Sequence, residues 1–250
     1  MHAIGICTSV ADAPRGADFI EENVQNFLRP EQPDCAPPPC AVPVRAANCF
    51  LPAALKCVGP VVDTPRLLRY AATAFARARQ VGIEIIVFGS GGARQLPDGF
   101  SKAKAEEQFV ALLRALGPLA GTQGITLVIE PLNRAECNFI NSVPEADALA
   151  AAAGHPNVCV LADFFHMLRD GQPPDDIVRH GTRLRHVHVA EKEKRTAPGV
   201  AGDDFWPFLR ALKQIGYRGA RPIESAWGDV KSEAAAAVRA LRQQIQEAYA

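Results

Sequence analysis

A 250-residue chain that is 48% apolar and 22% charged has the composition of a globular protein with a substantial core, which excludes a disordered chain. Its 27 Lys and Arg are matched by 27 Asp and Glu, so no net positive field draws it to a phosphate backbone or an anionic lipid surface, and a nucleic-acid enzyme is disfavoured. The length suits one (β/α)8 barrel or two smaller domains.

Residues 3–7 (AIGIC) predict a first strand and 17–24 (ADFIEENV) a second, with Glu21 or Glu22 near its end. The link between them, TSVADAPRG, is shorter than a right-handed crossover needs, so the first helix is expected to be truncated or missing. Six prolines within 30–43 predict an extended connection without regular structure. Residues 41–48 form a third strand candidate, weakened by Pro43. A helix capped by Thr64 opens at Pro65, places Leu68, Ala71, Phe75 and Ala78 on one face, and stops at Gly82. The fourth strand, 83–88, runs into the loop GSGGAR, 89–94. The next helix starts near Ser101 and carries Phe109, Leu112, Leu113 and Leu116 on one face, with Gly117-Pro118 expected to bend or break it.

Strand five, 125–129, ends at Glu130 because Pro131 cannot donate a ladder hydrogen bond. Ser142 with Glu145 is a capping box for an alanine-rich helix that ends at Gly154. Strand 158–162 runs into Asp163, a short helix covers 175–180, and strand 184–187 runs into His188. A helix over 205–215 leads to strand 220–223 and Glu224, and 232–248 is a closing helix. Strands and helices alternating in this way, with no internal repeat, predict an α/β fold: a (β/α)8 TIM barrel with a truncated or missing first helix, in one domain over 1–250.

Seven cysteines, Cys7, Cys35, Cys40, Cys49, Cys57, Cys137 and Cys159, form an odd set without C-x-x-C or zinc-ribbon spacing and read as reduced thiols. MHAIGICTSV lacks the layout of a signal peptide, and no apolar run has the length of a membrane span, so the expected location is the cytoplasm.

Four strand ends carry the chemistry. Glu130, Asp163, His188 and Glu224 follow one another at 33, 25 and 36 residues, each about one strand-helix-strand unit, so a parallel barrel puts all four on one rim. Three carboxylates and an imidazole suit a divalent cation, Mn2+, Mg2+ or Co2+, with positions left for substrate oxygens. Singly, each has a plainer reading: a helix cap for Glu130 or Glu224, a turn for Asp163, a core histidine for His188. Four coincidences at successive strand ends favour the metal. His186 points to the same side as His188, one layer deeper, and reads as structural. His166 and Glu136 have surface readings beside a role over a substrate, and Lys194 and Arg195 sit in a mixed-charge loop that usually marks a solvated face. GSGGAR reads either as backbone N–H groups and Arg94 for a phosphate or as a tight turn. Trp227 stacks on a sugar or fills the rim.

At these residues the chain resembles the sugar isomerase/epimerase superfamily of xylose-isomerase-like barrels, and within it the D-tagatose 3-epimerase and D-psicose 3-epimerase group. The resemblance lies chiefly in 83–228 and rests on IEPLNRAECNFIN, ADFFHM, HVHVAE and PIES. It implies that Glu130, Asp163, His188 and Glu224 bind the metal, that Glu130 and Glu224 are the catalytic acid and base, and that Glu136, His166 and Arg195 contact substrate, with Lys194 an alternative for the last because one residue is inserted. The first third departs from the group. Apurinic-site endonucleases of the same superfamily carry extra metal-binding histidines that NCFLP, FGSGG and AGDDF lack, so a trinuclear site is disfavoured.

The implied activity is that of an isomerase, ketose 3-epimerase-like and divalent-metal-dependent, abstracting a proton beside a ketone through an enediolate. The alternatives are an inosose- or hydroxypyruvate-type isomerase or dehydratase, and a sugar-binding barrel without catalysis. The expected partner is a small-molecule sugar or sugar phosphate, with neither nucleic acid nor membrane; the oligomeric state stays open, a homo-oligomer included.

Overall fold

The computed structural model describes residues 2–33, 35–39 and 41–250. Seven parallel strands lie side by side in chain order: β1 Gly5–Cys7, β2 Phe19–Asn23, β3 Val44–Asn48, β4 Ile85–Phe88, β5 Thr126–Ile129, β6 Val158–Asp163 and β7 Leu184–His188. The segment expected as an eighth strand is reduced to parallel bridges from Ile223 to Ile6 and to Val189. Pro222 has no N–H to give, so the ladder cannot lengthen there. The bridges are enough to close the barrel. Ile223 N donates to the Gly5 carbonyl at 2.9 Å and Cys7 N to the Ile223 carbonyl at 3.0 Å, while Val189 N reaches the Pro222 carbonyl at 3.0 Å.

The helices are α1 Thr64–Gln80, α2 Gly91–Arg94, α3 Lys102–Thr122, α4 Val143–Ala153, α5 Phe164–Asp170, α6 Asp175–His180, α7 Trp206–Gln214 and α8 Val230–Tyr249. The first crossover holds only the 3-10 turn Val10–Asp12, and the second holds a five-residue π-helical turn, Val24–Leu28, ahead of the proline-rich stretch. Among the described residues, neither holds an α-helix. Of that stretch, residues 34 and 40, and with them Cys40, lie outside the described residues. It is tied to α1 instead: Arg77 donates to the carbonyls of Leu28 at 2.8 Å, Arg29, and Gln32 at 2.7 Å, and Arg66 pairs with Glu31 at 2.7 Å.

Local chemistry corrects several expectations. The cap of α1 is Asp63, whose carboxylate accepts from Arg66 N at 3.0 Å, and the buried face adds Leu67, Tyr70 and Ala74 to Ala71, Phe75 and Ala78. Helix α3 runs unbroken through Gly117 and Pro118. It is held between α1 and α4, and Gly117 leaves room for the His155 ring, which a Cβ would meet at 2.6 Å. Ser142 caps α4, but Glu145 reaches back to the N–H of Asn141, at 2.6 Å, and not to that of Ser142. GSGGAR folds into α2. No described helix is long and apolar enough to cross a membrane.

Two separate apolar clusters result. A large one fills the layer between sheet and helices. A small one, Val87, Val128, Cys159 and Leu161, lies inside the barrel, because Val128 and Leu161 precede Glu130 and Asp163 by two residues and so share their side of the sheet. This plug floors the carboxyl end of the barrel, where burial of each side chain contributes roughly 1.5–3 kcal/mol.

Candidate active site

Glu130 follows β5, Asp163 ends β6, His188 ends β7 and Glu224 follows the bridge at Ile223. Barrel closure brings the four together: one ligand-type atom from each lies within 4.8 Å of the others. His188 Nδ1 is 3.0 Å from Glu130 Oε1, 3.1 Å from Glu224 Oε2 and 4.0 Å from Asp163 Oδ2.

Each side chain is set by its surroundings. Arg94 is fully buried, and its guanidinium donates to the carbonyls of Phe88 at 3.1 Å and Glu130 at 2.6 Å. It clamps the ends of β4 and β5 and is closed to any phosphate, which overturns the anion-loop reading of GSGGAR. Gly89 is small for a steric reason, since a Cβ there would lie 2.1 Å from Glu130 Oε2. Asp163 divides its two oxygens. Its Oδ1 caps α5, accepting from Phe165 N at 2.7 Å and His166 N at 3.3 Å, while Oδ2 faces the cluster. Glu224 Oε1 accepts from Asn48 Nδ2 at 2.8 Å.

Of the two candidates in the loop after β7, Arg195 reaches the cluster and Lys194 is exposed. Arg195 Nη2 lies 3.1 Å from Asp163 Oδ2 and contacts Glu224 Oε2, its Nε donates to the Glu224 carbonyl at 2.9 Å, and its guanidinium stacks on Phe165 with Cζ 4.7 Å from the ring centre. The loop itself hangs on Glu191, whose buried carboxylate accepts from Gly199 N at 2.8 Å, Gly202 N at 3.0 Å, Ala201 N and Thr196 Oγ1 at 2.9 Å. Burial raises the Glu191 carboxyl, but these donors outweigh it and hold it below the usual range.

His166 is buried over the same site. Its Nδ1 accepts from the Asn133 backbone N–H at 3.2 Å, which puts the proton of the neutral ring on Nε2. That nitrogen is buried without a hydrogen-bond partner, 3.6 Å from Asp163 Oδ2. Glu136 is exposed at the rim and accepts from Asn133 Nδ2 at 2.8 Å. Trp227 packs partly against the core.

Beneath the cluster, Glu21 of β2 holds both histidines of β7, with Oε1 2.8 Å from His188 Nε2 and Oε2 2.7 Å from His186 Nε2. Burial raises this carboxyl, but the two imidazoles outweigh it and hold it at about 2. Glu224 is likewise depressed: burial opposes ionisation, and His188 and Arg195 override it. The cluster thus gathers three carboxylates against one guanidinium and one imidazole, a deficit of positive charge that a divalent cation would fill with hard oxygen and imidazole ligands. Beside Glu224 a cavity of about 560 Å³ extends toward the ends of β1–β3, lined by Cys7, Asn23, Arg29, Asn48 and Cys49 among others. A hollow of about 600 Å³ between α3 and α4 contains none of the cluster.

Asn48 closes a strand as the other site residues do and was legible by the same rule. Glu191 and Glu21 carry no such mark, because one is a loop carboxylate and the other one of two adjacent glutamates.

This chain belongs to the Xylose isomerase-like TIM barrel family, whose pattern it matches over residues 63–245. It is 34% identical to the L-ribulose 3-epimerase of Methylomonas sp. over 117 residues, 46% of this chain and 41% of that one, and 30% identical to the D-psicose 3-epimerase of Enterocloster bolteae over 147 residues, 57% and 48% of the two. These matched stretches span less than half of each relative. The fold extends further: the crystal structure of the Methylomonas D-allulose 3-epimerase in complex with D-allulose superimposes with a TM-score of 0.79 at 22% identity, over 97% of both chains.

Proposed function

We propose that the protein is a metal-dependent ketose 3-epimerase, or a close isomerase relative, that moves a proton at a carbon beside a ketone. The observation that carries this is the meeting of Glu130, Asp163, His188 and Glu224 within 4.8 Å in a chain of this family. Those four residues hold the ion, with Mn2+ first and Mg2+ or Co2+ as alternatives. When bound it supplies Lewis-acid polarisation of a ketone oxygen and a neighbouring hydroxyl, and stabilises the negative charge of an enediolate.

The chain's own residues do the rest. A sugar enters the cavity beside Glu224, where Asn23 offers an amide group to its hydroxyls. Glu130 and Glu224 flank the reacting carbon: one takes its proton and the other returns one to the opposite face, inverting the centre. Arg195, paired with Glu224, favours the ionised form of that carboxylate, so it serves as the base. His166, with Nε2 buried and unpartnered, is a hydrogen-bond donor aimed at a substrate oxygen, and Arg195 contributes a second cation near the developing charge. Glu136 contacts the substrate from the rim.

The test is metal analysis of the purified protein together with a panel of ketoses, ketose phosphates, hydroxypyruvate and inososes, followed by NMR in deuterated buffer. Deuterium at C3 of a ketose with inversion, abolished by a chelator and restored by Mn2+, is the expected result. Tight sugar binding without exchange would make the protein a binding barrel, and exchange at C1 or C2 alone an aldose-ketose isomerase.

A further inference from the structure

We infer that Glu21 is a positioning residue for the metal centre: from the far side of His188 it fixes the ring so that Nδ1 is presented to the ion. The inference rests on the metal reading above and adds a part that the four ligands do not contain.

The geometry is direct. A ligating imidazole offers one nitrogen to the metal, and its orientation and tautomer are set by what the other nitrogen does. Here Nδ1 faces the Glu130 and Glu224 carboxylates at 3.0 and 3.1 Å, and Nε2 faces Glu21 Oε1 at 2.8 Å. With Nε2–H donating to a carboxylate, the neutral ring keeps its free lone pair on Nδ1, the side on which the ligands gather. The second oxygen of Glu21 is not free to swing, because His186 Nε2 holds it at 2.7 Å, and both side chains are essentially inaccessible. His186 and His188 stand one layer apart on β7 with ring centres 5.2 Å apart, so one carboxylate spans both and locks two rings with two bonds. The order of support therefore runs His186, Glu21, His188, ion.

Cys7 Sγ lies with Glu21 and His188 in a second compact group, within 4.8 Å of one another, which raises a second ion as the rival account. The bonds already made count against it: Glu21 has both oxygens engaged by imidazoles, and Nε2 of His188 is engaged by Glu21. The placement of Glu21 is also specific to the part of the chain that the family pattern does not cover, since β2 precedes residue 63. The first third, which departs from the resemblance, supplies the support for a ligand in the last third.

Isothermal titration of Mn2+ into the metal-free wild type, Glu21→Gln and Glu21→Ala is the test, with metal stoichiometry and a thermal melt for each. Glu21→Gln keeps the volume and one acceptor, so it is the variant expected to fold. Mn2+ binding weakened 10- to 100-fold in Glu21→Gln at an unchanged one ion per chain is the expected result. Affinity within twofold of wild type in a folded Glu21→Gln overturns the inference, and so does a wild type that binds two ions and loses one with the substitution. If the wild type binds no divalent cation, the metal reading itself fails, and proton NMR of the metal-free protein decides Glu21 separately. Two slowly exchanging imidazole N–H resonances that vanish in Glu21→Ala support its hold on both rings; their persistence overturns it.

Discussion

The two halves of the barrel divide their tasks at the carboxyl end of the sheet. From β5 onward, every strand end projects a group that meets at one point: Glu130, Asp163, His188 and Glu224. The half made of β1 to β3 contributes no member of that quartet, yet Glu21 and Asn48 hold two of its members from behind, and the loops of this half wall the cavity. The reacting atoms are expected on one side and their supports on the other. The halves also differ in build, because the described residues of the first two crossovers hold no α-helix and the second leans on α1 through Arg77 and Arg66. A supporting half can be built irregularly as long as its two contacts stay in place.

That division breaks most plainly at Glu130 and Glu224. Glu130→Gln and Glu224→Gln should each lower turnover by about a thousandfold, within the span of general acid-base catalysis, while sugar binding measured by calorimetry persists. Full activity in Glu130→Gln would remove the assignment. Gly89→Ala comes next: its Cβ would fall 2.1 Å from Glu130 Oε2, and a carboxylate is easier to displace than a strand. Turnover and Mn2+ affinity should both fall on the order of tenfold to a hundredfold, the scale of misplacing a catalytic group by about an ångström, with the melting temperature shifted by only a few degrees.

These same residues show what was readable without coordinates. Glu130, Asp163, His188 and Glu224 were legible because a strand end leaves a local mark, a β-branched run halted by Pro131 or followed by a helix start, and parallel topology converts such marks into one rim. The barrel was legible from the alternation that produced them. Arg94 was left between two readings because a buried guanidinium bonded to carbonyls looks, in one dimension, like any arginine after glycines. Pro118 was misjudged because a helix packed on both flanks tolerates one lost hydrogen bond. The regular eighth strand was expected from 220–223, where Pro222 allows only bridges. Glu21 could not be told from Glu22, because nothing local distinguishes it from that neighbour, whose carboxylate instead accepts from the Val10 N–H at 2.6 Å. The partner that sets it apart, His188, lies in the last third of the chain.

A supporting contact should cost less than a reacting group, and Asn48 measures how much less. Asn48→Ala removes the 2.8 Å bond to Glu224 Oε1 and leaves that carboxylate with His188 and Arg195. A hydrogen bond of this kind contributes about 1 kcal/mol, so kcat should drop roughly fivefold with KM changed little. A loss equal to that of Glu224→Gln would mean that Asn48 touches the substrate, and the division between halves would fail there.

The smallest effect on turnover is expected at Glu191, a support that lies within the half carrying the quartet and so shows, through stability, whether holding and reacting separate by role as well as by region. Its carboxyl is held below the ordinary carboxylate range in the folded chain, so the stability it confers is complete above about pH 4.5, the unfolded value, and is lost as pH falls through the folded value. Glu191→Gln removes the charge that gathers the N–H groups of Gly199, Ala201 and Gly202, with a cost of about 2 kcal/mol at pH 7 for charge-assisted hydrogen bonds. Denaturant unfolding from pH 7 down to pH 3.5 should show the gap between wild type and variant constant above about pH 4.5 and narrowing below it, because a protonated Glu191, reached as pH falls through the folded value, is nearly equivalent to a glutamine. A gap that stays constant to the acid end would mean that the carboxylate charge contributes nothing to the loop carrying Arg195, and that its other contacts alone hold it in place.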